Sequence, residues 1–172
     1  VAIADVERIY RERLPAGGVI LDAMSSWVSH LPADVAYERV VGLGMNDAEL
    51  SRNPRLASYV VHDLNRDPQL PFEDDSFDAA TICVSIQYLT QPVAVLRDLA
   101  RVVRASGPII ITFSNRCFPT KAVAVWRTLS DRDHLRLVAS YLADAGWLEI
   151  ESLASPPRRA DPLYAVIALA PP

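Results

Sequence analysis

The sequence has very little cysteine, no long apolar run and no surplus of positive charge, and each lack removes a class of protein. Two cysteines, Cys83 and Cys117, in 172 residues do not make a disulfide framework. No cysteine and histidine cluster has zinc-ligand spacing, and His30, His62 and His134 have no partner at ligand distance along the chain, so no metal site is expected. No run approaches the ~20 apolar residues that span a bilayer, and no basic segment leads into an apolar one at the amino end. A net charge of −4 lacks the basic footprint of a nucleic-acid binder. A G-x-G-x-x-G turn with a ribose carboxylate after it is also missing, which argues against a nicotinamide oxidoreductase. The expectation is a cytoplasmic protein acting on a small molecule, with no nucleic acid and no membrane as partner. Nothing in the sequence fixes the oligomeric state.

What is present is organised around residues 62–89, HDLNRDPQLPFEDDSFDAATICVSIQYL. Asp78–Val84 is a nearly unbroken small and apolar run behind the turn-forming cluster Glu73, Asp74, Asp75 and Ser76, the pattern of a strand buried on both faces. Further strands are expected over Val19–Ala23, Arg39–Met45, Ser58–Asp63 and Pro108–Phe113, with a short helix capped by Ser25 or Ser26 after the first of them. Helical spacing of apolar residues predicts helices over Ala4–Leu14, Pro92–Arg104, Lys121–Leu129 and Asp131–Ala145, with Thr90 capping the second. Leu148–Leu153 and Leu163–Leu169 follow each other without a helix and should pair antiparallel at a sheet edge. The sum is an α/β domain over residues 1–172: a doubly wound, mostly parallel seven-stranded Rossmann-like sheet ending in an antiparallel hairpin. Residues 1–17 supply a short amino-terminal helix.

Leu70-Pro71-Phe72 followed by Asp75-Ser76-Phe77-Asp78 resembles the LPF-x-D-x-SFD signature of class I S-adenosylmethionine-dependent methyltransferases, most closely the type 11 subgroup. The resemblance runs from about Val19 to about Gly107. It implies S-adenosylmethionine as cofactor and methyl transfer to a small-molecule acceptor; the alternative is a noncatalytic descendant that senses a ligand or binds a partner. In proteins of this kind residues before the first strand often form a substrate lid, and that lid is expected to be truncated here.

In open α/β sheets the ligand lies beyond the carboxyl ends of the parallel strands, where strand order reverses. For the cofactor this selects Asp22, expected to hold the first loop by accepting backbone hydrogen bonds, and Met24-Ser25-Ser26, where the resemblance implies a glycine-rich loop. Either that loop takes a different path or Met24 and Trp27 narrow the pocket. Gly44 or Met45 stands where the family places its ribose-binding acid, with Asn46 and Asp47 also read as caps of the next helix. Asp63 falls at the adenine-binding position with Leu64 beside it, and Ser85 follows the fourth strand. Gln87, Tyr88 and Cys117 are the candidates near the transferred methyl, the first two orienting an acceptor and the thiol made nucleophilic by nearby cations. Asn115, Arg116, Arg158 and Arg159 are the candidates for binding an anionic acceptor.

Overall fold

The computed structural model describes residues 2–155 and 162–172. The elements run α1 (Ala2–Arg13), β1 (Val19–Ala23), β2 (Arg39–Gly44), α2 (Asp47–Leu50), β3 (Ser58–Val61), β4 (Ala79–Cys83), a 3-10 turn (Ile86–Tyr88), α3 (Pro92–Val102), β5 (Pro108–Ser114), α4 (Ala124–Thr128), α5 (Asp131–Asp144), β6 (Leu148–Ala154) and β7 (Leu163–Leu169). The seven strands form one sheet in the order β3-β2-β1-β4-β5-β7-β6, with β7 antiparallel to both neighbours and the others parallel. The fold class and terminal hairpin expected from the sequence are those observed. Strand order reverses between β1 and β4, which is the switch point where a ligand cleft opens.

The central strands form because their residues suit burial on both faces: β1 is buried at every position, and Ile109, Ile110 and Ile111 of β5 are fully inaccessible. One face packs against α3 and α5 through Val95, Leu96, Leu99, Val138 and Leu142. The other is covered by α1, whose Val6, Ile9, Tyr10 and Leu14 recur at helical spacing and meet Ile20, Val40 and Ile110.

Three local expectations are corrected. No helix follows β1; residues 24–38 cross to β2 as turns and loop. Thr90 does not cap α3, which starts with Pro92 at its first turn behind Gln91; Thr90 instead bonds to Asn65. The helix expected over Lys121–Leu129 shrinks to α4, because Val123 is extended and donates its N–H to the Gln87 carbonyl at 3.0 Å. That bond ties residues 121–123 to the turn after β4.

The LPF and SFD residues are structural. Arg101 on α3 donates to the carbonyls of Leu70 (3.1 Å) and Phe72 (2.8 Å) and pairs with Asp98 and Asp74. Asp98 accepts the Leu70 N–H at 2.6 Å, and Phe72 meets Phe77 edge to face at 5.0 Å. Asp78 accepts the Val19 N–H at 2.7 Å and pairs with Arg104, fastening the start of β4 to that of β1. The string that carries the family resemblance thus builds the amino ends of the strands, opposite the ligand side.

Candidate active site

Across the carboxyl ends of β1 to β4 lies a cavity of about 550 Å³, well within the roughly 300–1,000 Å³ of small-molecule sites. Its floor at β1 is the Met24-Ser25-Ser26 loop. Met24 adopts φ 58°, the left-handed backbone that glycine enters without strain. This side chain therefore occupies a backbone position suited to the glycine it replaces. Trp27 does not fill the cavity: it is 46% exposed, turned outward with the Arg52 guanidinium 5.7 Å over its ring. The loop takes a different path, and the pocket stays open.

A buried polar network holds that path. Asp22 accepts from the hydroxyls of Ser25 (2.6 Å) and Ser29 on one oxygen and of Thr81 (3.1 Å) on the other. Asn53 donates to the Ser26 carbonyl at 2.9 Å and to the Ser29 hydroxyl at 3.0 Å. Asp22 thus holds the loop through side-chain hydroxyls instead of the expected backbone N–H groups. Burial pushes its carboxyl up, while the hydroxyls of Ser25, Ser29 and Thr81 pull it back down. The same crossing makes Gly44 necessary, since a Cβ there would collide with the Ser25 carbonyl oxygen. No acid could stand at position 44.

At the β2 and β3 end the cavity wall holds Gly44, Met45, Asn46, Glu49, His62, Asp63 and Leu64. Asn46 caps α2, its side chain accepting from the Glu49 N–H at 3.3 Å, so the capping role read from sequence is realised at the rim of the cavity. Asp47 lies outside the wall and accepts from the Tyr59 hydroxyl. Asp63 accepts the Asn65 N–H at 2.9 Å on one oxygen, and Glu49 accepts from Asn46 Nδ2 at 3.2 Å on one of its own. The second oxygen of each carboxylate makes no hydrogen bond among the described residues. Two carboxylates with spare acceptor capacity suit a ligand rich in hydroxyl and amino donors. This pair of acceptors fits the hydroxyl and amino donors of the adenosyl part of S-adenosylmethionine.

At the β4 and β5 end the wall is Ser85, Tyr88, Leu89, Phe118 and Lys121. Val84, at φ 52°, is a β-branched residue in left-handed backbone at the end of β4, a strained turn of the sort that gathers at functional sites. Gln87 Nε2 donates to the Val84 carbonyl at 3.1 Å. Tyr88 accepts the Phe118 N–H on its phenol oxygen at 3.1 Å, joining the two loops that close this end.

Of the residues selected from sequence, Met24, Ser25, Ser26, Gly44, Met45, Asn46, Asp63, Leu64, Ser85 and Tyr88 are brought together around the cavity. Asp22 lies beneath the floor. Gln87 is buried and faces the Val84 turn instead of the cavity, and Cys117 packs against the core. Asn115 and Arg116 are exposed and outside the wall. Arg158 and Arg159 lie outside the described residues. The sequence reading missed Glu49, His62, Asn65, Phe118 and Lys121. Strand alternation would put His62 and Asp63 on opposite faces, but β3 ends at Val61 and the alternation ends with it, so both reach the cavity.

An open parallel sheet reversing at β1 and β4, with a cavity across its carboxyl ends, is the architecture of the class I S-adenosylmethionine-dependent methyltransferases. The family model for a methyltransferase domain, type 11, matches residues 25–111, half of the chain, and the chain belongs to that family. A demethylmenaquinone methyltransferase of Paenarthrobacter aurescens is 29% identical over 137 residues, covering 63% of this chain and 51% of its own. The chain thus spans about half the length of that relative. An S-adenosylmethionine-dependent methyltransferase of Mesorhizobium loti superposes with TM-score 0.68 at 15% identity, covering 98% of both chains. A [4+2]-cyclase does so with TM-score 0.69 at 15% identity, covering 97% of this chain and 81% of its own. At these identities the likeness establishes the fold, and one fold serves more than one chemistry. Among the described residues no helix is long and apolar enough to cross a membrane, and no group of three metal-ligating side chains is found.

Proposed function

We propose that this chain binds S-adenosylmethionine in the cavity and directs its methyl group to a small-molecule acceptor. The observation that carries the reading is the spare carboxylate oxygens of Asp63 and Glu49 at the β2 and β3 end, joined by one open cavity to a differently built end at β4 and β5. When bound, the cofactor supplies an electrophilic methyl on a sulfonium, which passes to an acceptor lone pair and leaves a neutral thioether.

The chain's own residues bind and align. Asp63 and Glu49 accept hydrogen bonds from the adenine amino group and the ribose hydroxyls, a division in which Glu49 takes over from the acid that Gly44 cannot be. Leu64 and Met45 give the adenine apolar contact. Ser85 and Tyr88 border the space where an acceptor meets the methyl, and holding the two in line supplies most of the rate in such transfers. The relative's name carries a quinone acceptor, and the rings of Tyr88 and Phe118 at the β4 and β5 end suit a flat acceptor.

The test is thermal unfolding with S-adenosylmethionine, S-adenosylhomocysteine or NAD on the same sample. A ligand at ~100 times its Kd adds about 2.7 kcal/mol. Stabilisation by the first two and not by NAD is expected. A flat response to all three would favour a noncatalytic interaction module.

A further inference from the structure

The cavity's charge is divided by position. Its carboxylates, Glu49 and Asp63, lie at the β2 and β3 end, and its one permanent cation among the described residues, Lys121, lies at the other. His62 also lines the wall, its Nε2 2.9 Å from the Asp67 carbonyl oxygen. Lys121 is exposed and makes no ion pair among the described residues, and its ammonium sits 5.6 Å from the centre of the Phe118 ring. That ring holds the charge at the cavity edge by a cation–π contact. Phe118 is itself 66% exposed while lining the cavity, which leaves its ring open to a ligand. Tyr88 stands beside it, ring centres 6.5 Å apart and planes 33° apart, with the phenol fixed by the Phe118 N–H. The Val123 to Gln87 bond that shortens α4 is what brings this loop against the turn after β4.

Two aromatic faces and one ammonium with no ion pair among the described residues, all at the acceptor end, define a ligand chemistry. We propose that the methyl acceptor is a planar aromatic molecule bearing an anionic oxygen group, its ring against Phe118 and Tyr88 and its charge on Lys121. The inference rests on the cofactor occupying the carboxylate end as proposed above. It moves anion recognition from Arg116, which lies outside the cavity wall, to a lysine three residues from the aromatic ring that positions it. An ammonium is a compact point charge that accepts either a carboxylate or a phenolate.

The experiment is titration calorimetry of the protein saturated with S-adenosylhomocysteine, using 2-naphthoate, 2-naphthol, neutral 2-naphthamide and cyclohexanecarboxylate as probes. 2-Naphthoate should bind roughly ten-fold or more tightly than the amide, the scale of one hydrogen bond to a charged group, and more tightly than the nonaromatic acid. Comparing 2-naphthoate with 2-naphthol across their titration ranges separates a carboxylate from a phenolate preference. Lys121→Met should abolish the preference for anion over amide, Lys121→Arg should keep most of it, and S-adenosylhomocysteine affinity should be unchanged in both. Equal affinity of the wild-type protein for acid and amide, or no binding of any probe, overturns this inference alone. Loss of S-adenosylhomocysteine affinity in Lys121→Met also overturns it, by placing the lysine on the cofactor's own carboxylate. Failure of the wild-type protein to bind S-adenosylhomocysteine overturns the cofactor reading, and this inference with it.

Discussion

The Asn53 amide donates to the Ser26 carbonyl oxygen at 2.9 Å and to the Ser29 hydroxyl at 3.0 Å, and these bonds help fasten the loop after β1 to the turn before β3. Asn53 is 5% exposed, so the partners it would abandon are buried with it. Asn53→Ala should destabilise the fold by about 1–3 kcal/mol, the cost of leaving such groups unpaired. It should also weaken S-adenosylhomocysteine binding, because the cavity floor loses its anchor. Denaturant unfolding and calorimetry on the same variant check both effects.

Met24 gives the opposite expectation. Its left-handed backbone costs an L-residue about 1–2 kcal/mol that glycine is spared, against which stands the apolar contact Met24 makes with the core. Met24→Gly should leave cofactor affinity unchanged or raise it. A large loss of affinity would show that the methionine side chain is itself part of the binding surface.

Acid should loosen the domain at its amino-end fastenings. The Val19 N–H, with Arg104 beside it, holds the Asp78 carboxyl below its usual range. The Asp98 carboxyl is raised by burial but brought below its usual range overall by Arg101 and the Leu70 N–H. A folded-state pKa below the unfolded value of about 3.9 means that the stabilisation is complete above that value and is lost as pH falls through the folded pKa. Unfolding free energy should therefore drop below about pH 4, and more gently in Asp78→Asn than in the wild-type protein. A pH profile of denaturant midpoints measures this.

Arg101 separates structure from site. Arg101→Lys keeps the charge but loses the planar fork that reaches the Leu70 and Phe72 carbonyls together. Stability should fall by about 1–3 kcal/mol, with S-adenosylhomocysteine affinity unchanged, since the cavity lies at the opposite ends of the strands.

The strands and the terminal hairpin were legible because burial on both faces selects continuous apolar runs such as Ile109–Ile111. The loop after β1 was not. Ser25 and Ser26 look like helix caps, yet the Ser25 hydroxyl goes to Asp22 and the Ser26 carbonyl to Asn53, partners far along the chain or buried beneath it. The string from Asn115 to Lys121 was conspicuous by composition, but which of its side chains reach the cavity depends on a backbone bond to Gln87 that no local pattern encodes. Glu49 was hidden for a related reason. It reads as a first-turn residue of a short helix, and only the placement of α2 over the end of β2 turns it inward.

The central claim is that the carboxylates of Asp63 and Glu49 hold the adenosyl end of S-adenosylmethionine. Calorimetric titration of S-adenosylhomocysteine into the wild-type protein, Asp63→Ala and Glu49→Ala tests it most directly. Each substitution should weaken binding by about 1–3 kcal/mol, the worth of a hydrogen bond to a charged group together with the donor left unpaired, while the unfolding midpoint without ligand changes little. Wild-type affinity in both folded variants would contradict the account.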